Sequence, residues 1–189
     1  MKACMYTQNI LNKFETCDSG DIQRGIDWYP SATEYARSIS PSDLSRGAGV
    51  VAVLSPRTPW EKNLEYAAKV IKAVDSGSSI KPSIGGTYLN LEKAWSIAKG
   101  APVISVLTSG TRPERWLKVQ RFFQNLIGNP DCVTVDVWAA RVAHPECSEQ
   151  IGGNLYLSIE KSYQATAKKV GIKPRDLQAI VWLKERNGN

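Results

Sequence analysis

A helical spacing of apolar residues is the feature that most constrains how this 189-residue chain can fold. From Thr58 onward, apolar side chains recur at intervals of three and four residues, which puts them on one face of a helix. They are Trp60, Leu64, Ala67, Ile71 and Val74. The same spacing returns from about Tyr88 to Lys99, and again in the segment that ends near Ile127. An all-α fold is therefore predicted.

Capping signatures indicate where three of the predicted helices begin. A hydroxyl residue followed three positions later by a carboxylate can form a capping box. Such pairs are Ser31 with Glu34, Thr58 with Glu61 and Thr111 with Glu114. The apolar run 50–54 suits a buried helix or a strand, and its helical neighbours favour a helix. The predicted helices cover about 32–39, 43–54, 58–74, 88–99, the segment from the third box to 127, 155–170 and 174–186.

The charge balance favours a polyanionic partner. The chain has a net charge of +6 and a pI of about 9.2. Seven basic residues fall between Lys161 and Asn189, against two acidic ones. Each lysine or arginine that neutralises a phosphate releases counterions, so a basic surface favours nucleic acid. A solvated basic surface helix is the alternative, and composition alone leaves both interpretations open.

No metal, cofactor or membrane site is indicated by the sequence. The four cysteines lie far apart and there is a single histidine, so the close spacing of metal ligands is missing. The chain shows no signal peptide and no long apolar run. We therefore expect a monomeric cytoplasmic protein with reduced cysteines, without a metal or another cofactor and without membrane contact.

Lys118 and Asp136 form the constellation with the clearest chemical meaning. A turn containing Gly110 leads into the helix that carries Lys118, and Asp136 follows 18 residues later between two valines. Cleavage of a glycosidic bond builds positive charge on the sugar, which a buried carboxylate stabilises. An amine near a carboxylate in a partly desolvated site can lose its proton and become a nucleophile. The structural alternatives are a helix N-cap for Asp136 and a solvated or phosphate-binding side chain for Lys118.

This pattern resembles the helix-hairpin-helix DNA glycosylase superfamily, in particular its 8-oxoguanine DNA glycosylase-like members. In those proteins a lysine after the hairpin precedes, by slightly under twenty residues, an aspartate flanked by valines. The resemblance implies one helix-hairpin-helix unit over residues 1–189, with the hairpin at about 103–128 and a cleft between two helical lobes. It also implies that Lys118 attacks the anomeric carbon of a flipped nucleotide in double-stranded DNA, while Asp136 stabilises the developing charge.

The hairpin departs from the family pattern, in which two glycines form a tight turn and the lysine opens the next helix. Here Gly110 has no second glycine after it, and residues 112–117 stand before Lys118. Trp138 also stands where these glycosylases often carry a histidine. The departure bears more on Lys118 than on Asp136, because the position of the lysine depends on the hairpin.

Candidate DNA-contacting residues follow from the resemblance and from the charge pattern. Those expected to contact phosphates are Gly110, Arg112, Arg115, Arg121, Lys168, Lys169 and Lys173. Those expected to line the base pocket are Ser55, Trp60, Asn63 and Trp28. Each of them has an ordinary structural alternative, as a loop, cap, surface or core residue.

A second resemblance covers nearly the whole chain. Short pieces, among them Ala52–Pro56, Lys93–Ala94, Val133–Asp136 and Ala140–Ala143, are similar to a family of phage and actinobacterial proteins that has no firm biochemical assignment. This resemblance supports the fold and points towards DNA metabolism in a bacterium or a phage-infected host cell.

Three functions remain open at this point. The first is N-glycosidic cleavage of a modified or damaged base, with or without strand incision by the lysine. The second is modification of phage DNA bases, a transfer reaction on activated thymine derivatives in a similar cleft. The third is DNA binding without catalysis. Covalent trapping of the protein on DNA with borohydride separates the first function from the other two.

Overall fold

The computed structural model describes residues 2–109, 116–147 and 151–187. Over these ranges the chain forms ten α-helices and no strand, which confirms the predicted all-α class. The helices are α1 Lys2–Glu15, α2 Ser19–Ile39, α3 Leu44–Leu54, α4 Trp60–Asp75, α5 Tyr88–Ala98, α6 Val103–Thr108, α7 Leu117–Leu126, α8 Val137–Ala143, α9 Gly153–Val170 and α10 Pro174–Asn187. None of the helices in these ranges combines the length and hydropathy needed to cross a bilayer.

The chain divides into two compact units. Unit 1 comprises Met1–Ser31 and Gly128–Asn189, and unit 2 comprises Ala32–Ile127. The division falls within α2. Asp136 therefore belongs to unit 1, whereas Lys118 belongs to unit 2.

In unit 1 the helices α1, α8, α9 and α10 pack on one another. The first part of α2 lies against α10 at Gly25, where a Cβ atom would stand 2.5 Å from the Ile180 Cα and 2.6 Å from its backbone nitrogen. Such distances are shorter than any real carbon contact. The absence of a side chain at Gly25 is therefore what allows the two backbones to approach.

In unit 2 the central element is α3, which packs against α4, α5, α6 and α7. Every residue from Gly47 to Leu54 is buried, so the apolar run 50–54 forms a helix that is enclosed on all sides. This confirms the predicted helix at 43–54. It also explains why periodicity alone could not identify the run, since a helix enclosed on all sides has no polar face.

The capping box predicted at Ser31 is wrong. Ser31 lies inside α2, and its hydroxyl donates to the Asp27 carbonyl oxygen at 2.8 Å. The helix begins instead after Asp18, where Asp18 and Asp21 cap each other: the Asp21 N–H donates to Asp18 Oδ1 at 2.8 Å, and the Asp18 N–H donates to Asp21 Oδ2 at 3.2 Å. A stripe of buried residues runs along α2 from before Ser31 to after it. Burial of this stripe stabilises one continuous helix in place of a helix that starts at Ser31. The stripe consists of Gly25, Tyr29, Ala32 and Ala36.

The capping box predicted at Thr58 is also wrong, although the helix itself is confirmed. Helix α4 begins at Trp60, and no side chain caps it. The Thr58 hydroxyl faces the Pro56 carbonyl oxygen at 3.3 Å instead. Arg57, in the same loop, has a left-handed backbone with φ of 60°, so the chain turns there before the helix starts. The third predicted box, Thr111 with Glu114, lies outside the described residues.

We predict that Gly25→Ala destabilises the protein by about 1–3 kcal/mol, because the added methyl group overlaps the Ile180 backbone, which cannot move aside as a flexible side chain can. Gly20→Ala on the same helix is the matched control. Its Cβ would meet only the ends of the Arg24 and Asp18 side chains, at 3.2 Å, so stability stays unchanged or rises by up to about 1 kcal/mol. Urea unfolding of both variants measures the difference; equal midpoints would contradict the close approach.

Candidate functional site

The Asp136 carboxylate is held by hydrogen bonds to both of its oxygens. Asp136 is the N-cap of α8, and Oδ1 accepts from the Ala139 N–H at 2.9 Å. Oδ2 accepts from the indole N–H of Trp182 on α10 at 3.0 Å. Asp136 is thus the helix N-cap that the sequence offered as the structural alternative to a catalytic role. Each carboxylate oxygen can accept about two hydrogen bonds, so the half-buried side chain keeps capacity for a further contact.

The segment before Asp136 is fixed by side chains of α9. The Tyr156 hydroxyl donates to the Val133 carbonyl oxygen at 2.8 Å and accepts from the Val135 N–H at 3.0 Å. The Val133 N–H donates to Oε1 of the buried Glu160 at 3.2 Å. The backbone of residues 133–135 is extended and buried. These hydrogen bonds satisfy its N–H and C=O groups in the way that a neighbouring strand would. They set the point at which Asp136 emerges from the core.

Aromatic rings lie next to the Asp136 carboxylate in unit 1. Trp182 contacts Trp28 edge to face, with 5.6 Å between ring centroids, and Trp28 contacts Tyr29 at 4.7 Å. The structure thus connects two predicted site residues, Asp136 and Trp28, through Trp182. Burial raises the pKa of Tyr29 and of Tyr163, and the negative charge of Asp136 adds to both rises. Both phenols therefore remain neutral donors: Tyr29 to Gln178 and Tyr163 to the Ala139 carbonyl oxygen, each at 2.8 Å.

Lys118 is the second residue of α7 in unit 2. Its side chain is half-buried and makes no hydrogen bond or ion pair within the described residues. A place in the first turn of a helix agrees with the position that the resemblance implies for the lysine. The hairpin residues Gly110, Arg112 and Arg115 lie outside the described residues.

Lys93 is the other lysine of note in unit 2, and it is only 8% exposed. Its amine donates to the Val106 carbonyl oxygen at the end of α6 and to the Ser109 hydroxyl, the latter at 2.8 Å. The Trp116 ring lies over the amine, with 4.8 Å from Nζ to the ring centroid. Burial lowers the pKa of Lys93, because desolvation disfavours the charged form.

Three base-pocket candidates lie in or beside the loop between α3 and α4. Ser55 donates to the Ala52 carbonyl oxygen at 2.8 Å at the end of α3, and Trp60 contacts Phe122 edge to face at 6.3 Å. Asn63 is 1% exposed; its amide nitrogen donates to the Val51 carbonyl oxygen at 3.1 Å, while its Oδ1 has no hydrogen-bond partner. Asn63 therefore joins α4 to α3, whereas Ser55 caps the end of its own helix and Trp60 packs on α7.

The predicted phosphate contacts in unit 1 lie at the end of α9. Lys168 and Lys169 occupy its last turn, Gly171 ends it with φ of 76°, and Lys173 follows. All three lysines are exposed and make no ion pair or hydrogen bond within the described residues. Their charges interact favourably with the carbonyl end of the helix, and they remain available to an anion. Arg121, the other described candidate, is half-buried on α7.

Comparison with known proteins assigns the chain to one family. Residues 1–189 match the model described as "Family of unknown function (DUF7178)". The chain belongs to this family. No curated protein and no solved structure matches the chain.

For this DUF7178 member, two important side chains were not placed in the site by sequence reasoning. In the sequence Trp182 fits the core of the last helix and gives no sign of a place in the site, yet its indole N–H fixes Asp136. Lys93 belongs to the family-like pattern, and the sequence makes it a candidate nucleophile only in second place, after Lys118. A signal for it exists, since Asn90, Lys93 and Ile97 follow helical spacing and all three are buried. Within the described ranges, no group of three His, Cys, Asp or Glu side chains could hold a metal ion.

We predict that the Asp136–Trp182 hydrogen bond stabilises the protein by about 1.5–3 kcal/mol, the range for a bond to a charged group. Asp136→Asn leaves one oxygen for two donors; that oxygen stays with the Ala139 N–H, as in an ordinary N-cap, and the bond to the indole is lost. Trp182→Phe removes the same bond by removing its donor. Because both changes remove the same bond, the double variant is destabilised by less than the sum of the single changes. Asp136→Ala also loses the cap, which adds about 1 kcal/mol. Urea unfolding of all four variants measures this, and strict additivity would contradict the hydrogen bond.

Proposed function

We propose that this protein is a DNA glycosylase-like enzyme that releases a modified or damaged base flipped out of double-stranded DNA. The observation that carries the proposal is the Asp136 carboxylate, held by two donors, half-buried and next to aromatic rings. The resemblance of the Lys118–Asp136 pattern to helix-hairpin-helix glycosylases supports it. The protein acts as a monomer in the cytoplasm of a bacterium or of a phage-infected host cell.

The role proposed for Asp136 follows from the charge that develops during the reaction. When the bond between base and sugar lengthens, positive charge appears on the sugar ring and none was present in the ground state. A fixed carboxylate stabilises that charge without having to reorient, so its effect falls on the rate and not on binding. The hydrogen bonds from Ala139 and Trp182 provide this fixed orientation. Lys118 is the amine that the sequence predicts as the nucleophile.

Neighbouring aromatic side chains suit the same step. Trp28 is half-buried, and together with Trp182 it provides ring surface close to the carboxylate. A base that leaves the duplex loses its stacking, and an aromatic surface replaces part of that energy. The exposed lysines at the end of α9 supply the positive charge that phosphate binding requires.

We predict that DNA affinity falls steeply with salt and that the α9 lysines account for part of the slope. Changing Lys168, Lys169 and Lys173 to Gln weakens binding to all sequences alike. It also reduces the slope of log K against log salt by roughly three, about one for each phosphate that the protein no longer neutralises. Fluorescence anisotropy at several salt concentrations measures both effects.

The control for the lysine variant is Lys62→Gln with Lys69→Gln in unit 2. Both of these lysines are exposed, and both already pair with Glu65, at 2.9 Å and 2.7 Å. For each lysine changed to Gln, the slope of log K against log salt should fall less in this control than it does at Lys168 and Lys169, which have no ion pair. Affinity that does not depend on salt, or no affinity for DNA, would contradict the proposed partner.

We predict that Asp136→Asn lowers the rate of base release by roughly 10²-fold or more while DNA binding stays intact or becomes tighter. Trp182→Phe is the matched control, because it loses the same hydrogen bond and keeps the charge at position 136. It should therefore lose activity, through a less well fixed carboxylate, but clearly less than Asp136→Asn does at a similar cost in stability. Single-turnover base release from duplexes that each contain one modified base measures the rate. Full activity of Asp136→Asn on a verified substrate would refute the mechanism.

DNA binding without catalysis is the second candidate function. The observation in its favour is that both Asp136 oxygens have hydrogen bonds that a purely structural N-cap would also make. On this alternative, no modified base is released from any duplex while salt-dependent binding is retained. The assays above therefore distinguish the two functions.

A further inference from the structure

Two arginines of unit 1 lie over tryptophan rings on the helices that hold the Asp136 carboxylate. The Arg186 guanidinium carbon is 5.3 Å from the centre of the Trp182 ring, and this indole donates the hydrogen bond to Asp136. The Arg141 guanidinium carbon is 5.1 Å from the centre of the Trp138 ring. Trp138 and Arg141 belong to α8, which Asp136 caps. One arginine thus stands on each of the two helices whose N–H groups fix the carboxylate.

Neither arginine has an acidic partner in the part of the chain that the structure describes. Arg186 is exposed and Arg141 is half-buried, and neither makes an ion pair or a hydrogen bond there. The N–H groups of a guanidinium lie in its plane, so a guanidinium over an indole ring keeps these donors available. Contact with the ring also restricts the side chain before any ligand arrives. Both groups are therefore prepared to bind an anion.

A structural role explains only part of this arrangement. Both arginines lie in the last turn of their helices, where positive charge interacts favourably with the carbonyl end. A lysine would serve that purpose equally well. A planar guanidinium over an aromatic ring differs from a lysine in offering two parallel N–H donors, which match two oxygens of one phosphate. The arrangement therefore suits phosphate better than it suits the helix end alone.

The charge of Asp136 gives a reason for two unpaired cations in this place. A nucleotide within a DNA strand carries a phosphate on each side of its sugar. A carboxylate that faces the sugar repels both phosphates, and this repulsion opposes binding. Positive groups that stand nearby, and that the carboxylate does not itself neutralise, offset the repulsion. Arg141 and Arg186 have both properties, because the described partners of the Asp136 oxygens are the Ala139 and Trp182 N–H groups.

We propose that Arg141 and Arg186 bind two phosphates of the DNA strand whose nucleotide lies at Asp136, with one arginine on each phosphate. The inference rests on the proposed function, which puts a nucleotide at this carboxylate. It adds a second set of phosphate contacts to the lysines at the end of α9. These lysines hold the duplex, whereas the two arginines hold the linkages of the nucleotide at the site.

The test uses the full-length chain and duplexes that contain one tetrahydrofuran site, a stable abasic analogue from which no base can be released. In each duplex one phosphate is replaced by an uncharged methylphosphonate, and a series of duplexes moves this linkage along the strand. Fluorescence anisotropy measures the affinity of the wild type, Arg141→Gln and Arg186→Gln for every duplex. The matched control is Arg24→Gln, which removes an arginine of the same unit that already pairs with Asp21 at 2.5 Å.

A neutral linkage at two positions near the tetrahydrofuran site should weaken wild-type binding by roughly tenfold, the loss of one hydrogen bond between charged groups. Arg186→Gln should be insensitive to one of these neutral linkages and Arg141→Gln to the other, because the partner of that phosphate is already missing. Each variant should also lower the slope of log K against log salt by about one. Arg24→Gln should keep the wild-type pattern at both positions. An arginine with a purely structural role would alter neither the slope nor the position dependence.

Arg141→Lys and Arg186→Lys replace any Gln variant that circular dichroism shows to be unfolded. They should keep the salt slope, because the charge remains, and bind severalfold more weakly, because the two-point contact is lost. Equal sensitivity of variants and wild type to every neutral linkage, an unchanged slope in the Gln variants, full affinity of the Lys variants, or no affinity for these duplexes would each overturn the proposal. A failure of base release leaves all of these measurements unaffected, so the two proposals fail separately.

Discussion

The need to satisfy buried polar groups governs both halves of this structure. An unpaired polar group inside a protein is costly, so most buried donors and acceptors have a hydrogen-bond partner. In unit 1 the buried side chains of Tyr156 and Glu160 satisfy the backbone that precedes Asp136. In unit 2 the Lys93 amine satisfies the end of α6. The candidate functional groups of both units therefore depend on hydrogen bonds that also hold the helices in place.

Asp136 and Lys93 illustrate opposite ways of preparing a group for chemistry. Asp136 receives hydrogen bonds from two N–H groups, which fix the orientation of its carboxylate. Lys93 contacts only neutral groups and is buried, which disfavours its charged form and lowers its pKa. A carboxylate in a fixed orientation can stabilise a developing positive charge, and burial disfavours the charged form of an amine. The two groups belong to different units, and each is held by the packing of its own unit.

Helix packing in both units depends on glycines at which two backbones come close together. Gly25 lets α2 lie against α10 in unit 1, and Gly47 lets α3 approach the Ala36 carbonyl in unit 2, where a Cβ would stand 2.2 Å from that oxygen. Helix α3 can be enclosed on all sides only because small residues permit such distances. The same enclosure removes the amphipathic pattern by which helices are normally identified.

The sequence by itself determined the helical class and most helix ends in the second half of the chain, because these depend on the local spacing of apolar residues. Local capping likewise placed Asp136 at a helix start. Only the tertiary structure decided that α2 continues through Ser31, because a buried stripe outweighed a local capping signature. Contacts between distant residues likewise decided that Trp182 fixes Asp136 across 46 positions and that Lys93 is buried beside Ser109. Local spacing shows which face of a helix is apolar, but burial of a polar side chain depends on partners that the chain brings near only when it folds.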